Sequence, residues 1–213
     1  MDVVVAGGHG QIALHLLRLL AERGDRARGL IRNPAHAADL EAVGAEPVLC
    51  DLEAEDDIAR FVEGADAVVF AAGAGPGSGP ARKQTVDLGA AVKLIDAARA
   101  NGIRRYVMVS AIGVGDLDAV SEEMGPYYDA KAAADRRLEE SGLDYTTVRP
   151  GALTNDIPSG RVQAGLGIGR GSIPRADVAA TLLAVLDSPE TSGVTFDLIA
   201  GDTPIDEAVR SLG

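Results

Sequence analysis

Apolar residues fall along this chain in two kinds of stretch that alternate. Short unbroken runs end at glycine, and segments with apolar residues three or four apart follow them. The first run is Asp2–Ala6, with Val3, Val4 and Val5 consecutive. An uninterrupted β-branched run marks a strand buried on both faces, as in a parallel sheet. Gly7-Gly8-His9-Gly10 follows, then Ile12, Leu16, Leu19 and Leu20 close to the helical period, ended by Gly24. The same alternation predicts strands over Arg26–Ile31, Pro47–Cys50, Ala67–Phe70, Tyr106–Val109, Tyr145–Val148 and Val194–Ile199. It predicts short helices up to Val43 and around Ile58–Val62. Longer helices are expected over Arg82–Ala100, from Tyr127 to Gly142, over Ala176–Leu186 and over Ile205–Leu212. Gly73–Pro80 and Gly113–Pro126 read as loops, and Thr154–Ser172 is glycine-rich with weak periodicity.

Strands alternating with helices at this spacing imply βαβ units and right-handed crossovers. The fold class is α/β: a Rossmann-type, doubly wound, mostly parallel sheet in a single domain over residues 1–213. A length of 213 residues fits that count. The net charge is 20 − 32 = −12, which excludes the basic footprint of a nucleic-acid binder and makes an anionic membrane a poor partner. The lone Cys50 excludes an intrachain disulfide and a multi-cysteine metal site, and His9, His15 and His36 lack metal-ligand spacing. No signal peptide and no membrane-spanning run are read, so the expectation is a cytoplasmic protein. A small-molecule substrate is the expected partner, with the chain a monomer or homodimer.

The first strand–loop–helix junction carries the strongest chemical signal. In Gly7-Gly8-His9-Gly10-Gln11-Ile12-Ala13 the first glycine allows a tight turn, and Gly10 lets backbone approach a pyrophosphate. Ala13 lets helix and strand pack closely, and the helix start offers free N–H groups. The end of the second strand speaks to the cofactor. An acidic residue there would hold a ribose 2′-hydroxyl, but the sequence is Leu30-Ile31-Arg32-Asn33. Arg32 suits a 2′-phosphate by its planar fork; the competing reading is a surface arginine. NADP(H) is therefore favoured, with NAD(H) possible. Asp51 lies at the same sheet edge, where it either borders an adenine or caps the next segment. The acidic cluster Glu53, Glu55, Asp56, Asp57 reads as a solvated helix start. Phe70-Ala71-Ala72-Gly73 ends the fourth strand with residues small enough for a cofactor to pass, or merely with a tight turn.

Tyr127 and Lys131 are four apart at a helix start and share one face. Tyrosine acting as a base near neutrality costs roughly 4 kcal/mol, which a nearby ammonium helps to offset. Ser110 ends the fifth strand, placed to hold a carbonyl oxygen. The alternative for Tyr127 is half-buried packing.

Together these residues resemble the short-chain dehydrogenase/reductase superfamily. The likeness is to its atypical group of small NAD(P)H-binding proteins, the NmrA-like and biliverdin reductase B-like set. The likeness spans nearly the whole chain. Its markers are the glycine loop, Leu30–Pro34, Asp51-Leu52, Phe70–Gly73, Thr85-Val86-Asp87, Val109–Gly113, Tyr127-x-x-x-Lys131, Arg149-Pro150-Gly151 and Ile173–Ala179. The resemblance implies that Gly7, Gly10, Gln11 and Ile12 lie under the pyrophosphate and that Arg32 marks NADP(H). It implies that Asp51 and Leu52 flank adenine, and that Ala71, Ala72 and Gly73 follow the ribose. Ser110, Tyr127 and Lys131 form the implied active-site group, with Tyr127 as proton donor and Lys131 also on the nicotinamide ribose. Pro150, Gly151 and Leu153 border the nicotinamide. The chain departs from the group's pattern where an asparagine is common and Asp87 stands instead. It also departs in the Ser110–Tyr127 gap of 127 − 110 = 17 and in a reduced C-terminal substrate region. Substrate-contacting segments are expected at about 111–126 and 151–175.

Three functions remain open on these residues. The first is an NADPH-dependent oxidoreductase reducing a small carbonyl compound, quinone or flavin. The second is a non-catalytic NADP(H) sensor of NmrA-like type. The third is a cofactor-dependent epimerase or isomerase. The Tyr127–Lys131 pair favours an enzyme, since a sensor does not need it.

Overall fold

The computed structural model describes residues 1–75, 79–114 and 124–213. Residues 76–78 of the first expected loop and 115–123 of the second lie outside the described residues, as does much of the expected segment 111–126.

The strands of the main sheet are β1 (Asp2–Ala6), β2 (Arg26–Ile31), β3 (Glu46–Leu49), β4 (Ala67–Phe70), β5 (Arg105–Val109) and β6 (Asp144–Pro150) in the first part of the chain. β8 (Arg161–Gly165), β10 (Val194–Ala200) and β11 (Thr203–Pro204) complete it. The order is β11-β8-β10-β6-β5-β4-β1-β2-β3. Pairing is parallel from β3 through to β10 and antiparallel only at the β10–β8–β11 edge. A separate parallel pair joins β7 (Ala152–Thr154) to β9 (Ser172–Pro174).

The run Val3-Val4-Val5 is fully buried because each face of β1 meets its own layer of helices. Val3 and Val5 join the core under α1 (Gln11–Glu22), α7 (Arg175–Leu186) and α8 (Ile205–Arg210). Val4 and Ala6 join the opposite core, under α3 (Ala59–Val62), α5 (Ala91–Ala100) and α6 (Gly125–Glu139). A period of two along the strand thus serves both layers at once.

Several elements differ from the sequence expectation, β7, β9 and β11 (none of them expected as strands) among them. The helix expected from Arg82 starts as α4 (Pro80–Arg82) and continues as a π-helix over Lys83–Ala90 before becoming α5. Within Thr154–Ser172 the chain makes β8, which adds an antiparallel edge to β10 instead of staying in loops. Of the side chains of β8 only Val162 is fully buried, which is why its pattern is weak.

Candidate functional site

The C-terminal ends of β1, β2, β3 and β4 lie side by side, and a cleft of about 310 Å³ opens over them. The order of the strands reverses between β1 and β4, the place where open parallel sheets take ligands. Gly7, Gly10, Arg32, Asp51, Leu52, Ala71, Ala72 and Gly73 all line this cleft. Gln11 and Ile12 open α1, whose start carries no side-chain cap, so its first N–H groups are free for an anion.

The glycines here answer to geometry. Gly7 has φ +81°, and a Cβ on it would sit 2.6 Å from the Ala72 Cα. A Cβ on Gly8 would sit 2.7 Å from the Gly29 Cα, so the loop is pressed onto β2. Ala13 is fully buried in the core that α1 shares with β1. Small residues where backbones meet and an uncapped helix start fit a dinucleotide, and a guanidinium follows β2.

Arg32 reaches across the cleft to Glu53, with Nη1 donating to Oε2 at 3.1 Å. Arg82 donates to the same oxygen from Nε at 3.3 Å and Nη2 at 3.2 Å. Thr85 Oγ1 donates to Glu53 Oε1 at 2.8 Å. Glu53 is therefore no member of a solvated cluster; it is the carboxylate that joins both arginines. Asp57 does behave as expected of a helix start, accepting from the Ala59 N–H at 2.8 Å. Asp51 caps the segment that follows it, its Oδ1 accepting from the Glu53 N–H at 2.9 Å, and the residue lines the cleft. His9 and His36 also line it, with rings stacked 3.6 Å apart. Cys50 lies in the wall, and burial with the charges of Glu55 and Asp51 pushes its thiol up to about 12, so it stays protonated and unreactive.

A second group lies around α6. Tyr127, Lys131 and Asp135 follow one another at four-residue spacing on one helix face. Lys131 is 3% exposed; its Nζ donates to the Val109 carbonyl at 3.1 Å and stands 3.4 Å from Asp87 Oδ1. Asp87 comes from the π-helix and is fully buried. Its Oδ2 accepts from the Ala74 N–H at 3.3 Å, while Oδ1 accepts no hydrogen bond. Ser110 Oγ donates to Asp135 Oδ2 at 3.0 Å. The same oxygen accepts from Arg149 Nε at 3.1 Å and Nη2 at 2.9 Å, and Asp135 Oδ1 has no partner. Ser110 has one proton, and Asp135 holds it. Its oxygen is therefore left as an acceptor.

Tyr127 packs edge-on against Tyr128, with the ammonium of Lys83 5.6 Å and that of Lys131 6.0 Å from its ring centre. Burial, then the charges of Asp87, Tyr128 and Asp135, hold its phenol above the ordinary range. The chain's own charges thus work against the base role that the Tyr127–Lys131 spacing suggests, because Asp87 stands against the ammonium. A phenol of this kind keeps its proton near neutrality and can give it to a stronger base such as an alkoxide.

Pro150 and Gly151 end β6, where the Pro150 carbonyl accepts from the Ile112 N–H at 3.0 Å and the Gly151 N–H donates to Leu198 at 2.9 Å. Leu153 lies on β7, half-exposed. None of these three lines the cleft. Arg28 is buried against Asp2, Phe61 and Glu63 and does not line the cleft. Sequence reasoning missed the part played by His36, Glu53, Arg82 and Asp135. Only Asp135 carried a local signal, standing four residues beyond Lys131 on the same face.

Comparison with known proteins gives this geometry its family. The family model described as NAD(P)H-binding matches residues 7–189. The chain is 44% identical over 214 residues to the uncharacterized sugar epimerase YhfK of Bacillus subtilis, covering all of both. It superposes with a TM-score of 0.94 at 39% identity on a Bacillus halodurans structure provisionally named as an NAD-dependent epimerase/dehydratase, again over the full length of both. The oxidoreductase ylbE of Lactococcus lactis superposes at 0.88 with 26% identity, over 100% of this chain and 96% of that one. These likenesses agree with the atypical short-chain dehydrogenase/reductase motifs in the sequence. The chain belongs to the NAD(P)H-binding family.

Proposed function

We propose that the protein is an NADP(H)-dependent reductase of a small carbonyl compound, a quinone or a flavin. The observation that carries this reading is the half-buried Tyr127, its phenol held above the ordinary range and its ring 6.0 Å from the Lys131 ammonium, on the helix next to the cleft-forming sheet. Gly7, Gly8 and Gly10 let a dinucleotide lie against backbone, and Arg32 pairs with its 2′-phosphate. The bound cofactor supplies the hydride. Tyr127 gives its phenolic proton to the oxygen that becomes an alkoxide. Lys131, pinned by the Val109 carbonyl and Asp87, offers an ammonium near that oxygen and near the ribose. Ser110, its proton held by Asp135, accepts from a hydroxyl or N–H of the substrate.

Tyr127→Phe tests the assignment. Turnover should fall by a factor of about a thousand or more, while NADPH affinity by calorimetry stays within about twofold of wild type. Unchanged turnover removes Tyr127 from the reaction.

The names of the relatives favour a second reading, an epimerase. That reaction must first take a proton from a hydroxyl, and a phenol held above its ordinary value is a poor acceptor at neutral pH. Net consumption of NADPH with a carbonyl, quinone or flavin supports the reductase. Interconversion of a sugar without net consumption supports the epimerase. Binding without any turnover supports a sensor. A small molecule as sole partner, a monomer or homodimer, and a cytoplasmic setting complete the proposal; among the described residues no helix is long and apolar enough to cross a membrane.

A further inference from the structure

The cleft holds a bridge that the family motif does not account for. Glu53 Oε2 lies within 3.1 to 3.3 Å of nitrogens on two arginines from opposite walls. Arg32 directly follows β2, and Arg82 ends α4, 50 residues later (82 − 32 = 50). Two guanidiniums converging on one oxygen of a planar anion are the arrangement a phosphate also takes. Glu53 has a second anchor in Thr85, whose hydroxyl donates to its other oxygen. All three charged side chains are partly solvated: Arg32 is 53%, Arg82 38% and Glu53 28% exposed. Rearrangement among them therefore costs little compared with a buried pair.

We propose that Arg82 is a second guanidinium of the 2′-phosphate subsite, and that Glu53 is an internal carboxylate which an incoming 2′-phosphate displaces from both arginines. This inference rests on the NADP(H) reading above and adds to it two residues that set selectivity for the phosphorylated dinucleotide. A 2′-phosphate carries more charge than a carboxylate and more acceptor oxygens, so it outcompetes Glu53 for the two forks. A dinucleotide lacking that phosphate gains nothing from Arg82 and leaves the bridge closed. Glu53 therefore acts as a threshold: its charge opposes the phosphate, and the arginines must prefer the phosphate for binding to proceed.

Calorimetric titration with NADPH and with NADH separates the outcomes, because neither measurement needs turnover. Arg82→Ala should weaken NADPH by about tenfold and leave NADH within about twofold. Glu53→Gln should tighten NADPH by up to about fivefold without tightening NADH. Arg82→Lys should recover only part of the loss, since a point charge replaces the fork. Arg82→Ala that leaves NADPH unchanged, or weakens both nucleotides alike, overturns the role of Arg82. Glu53→Gln that weakens NADPH shows a brace instead of a competitor and overturns the role of Glu53. Wild-type protein that binds both nucleotides equally overturns the NADP(H) reading beneath the inference, a result visible before any variant is made. Arg32→Ala serves as the control for that reading, with an expected loss for NADPH alone.

Discussion

Asp135 shows what a single residue does here. It is 2% exposed, yet one of its oxygens gathers three donors and the other none. Burial raises its carboxyl above the ordinary value, against Arg149, Ser110 and Lys131. A group raised in the folded state binds its proton more tightly there than in the unfolded chain. Its contribution to stability is thus most favourable below the ordinary carboxylate range and declines as pH rises through the raised value. Asp135→Asn cannot titrate. The stability of wild type minus that of Asp135→Asn, from urea unfolding between about pH 4 and about pH 7, should fall with rising pH. A flat or rising difference would refute the assignment. Asp135→Ala goes further and leaves Arg149 without its carboxylate, at a cost of about 3 kcal/mol. The sequence put Ser110, Tyr127 and Lys131 on the page but not the proton on Ser110. That proton follows from a carboxylate 25 residues away in the chain, which no local pattern reports.

Among the elements, β1 was legible because three consecutive valines leave no polar face, and a strand without one must be covered on both sides. The loop after it was legible as a turn, but not its close contact with β2. Gly8 and Gly29 meet because β2 runs parallel to β1 with Ala6 opposite Leu30, a register fixed only in three dimensions. Gly8→Ala must push the backbone of β2 away, since the nearest neighbours of its Cβ are main-chain atoms of Gly29 and Leu30. A loss of about 2 kcal/mol is expected, with NADPH affinity falling as the loop shifts. Gly64→Ala is the comparison: no atom lies within 4 Å of its Cβ, so the cost of about 1 kcal/mol comes from φ +74° alone. Equal losses would remove the steric argument, and chemical denaturation distinguishes the two. The π-helix over Lys83–Ala90 was not legible. Periodicity says that residues are helical, not which carbonyl each N–H selects.

For the whole molecule, the charge of −12 conceals a local balance: Arg32 and Arg82 line one cleft of an acidic chain together with Asp51 and Glu53. Composition argues against a polyanionic partner, and only the fold brings the two guanidiniums together in one cleft. That cleft draws its walls from β1, β2, the segment after β3, β4 and the π-helix, so an occupant is bound by the folded chain and not by the unfolded one. Binding must then stabilise the entire molecule by linkage. NADPH at about 100 times its dissociation constant should add about 2.7 kcal/mol, which for a chain of this size raises Tm by about 5–10 °C. Tyr127→Phe should keep the full shift, because its phenol acts on the substrate. Arg82→Ala, read at the same fixed NADPH concentration, should keep about half, since tenfold weaker binding leaves about 1.4 kcal/mol. Thermal unfolding with and without the nucleotide therefore separates a residue that holds the cofactor from one that performs the reaction. A Tyr127→Phe protein that lost its shift would move that residue from the reaction into the binding site.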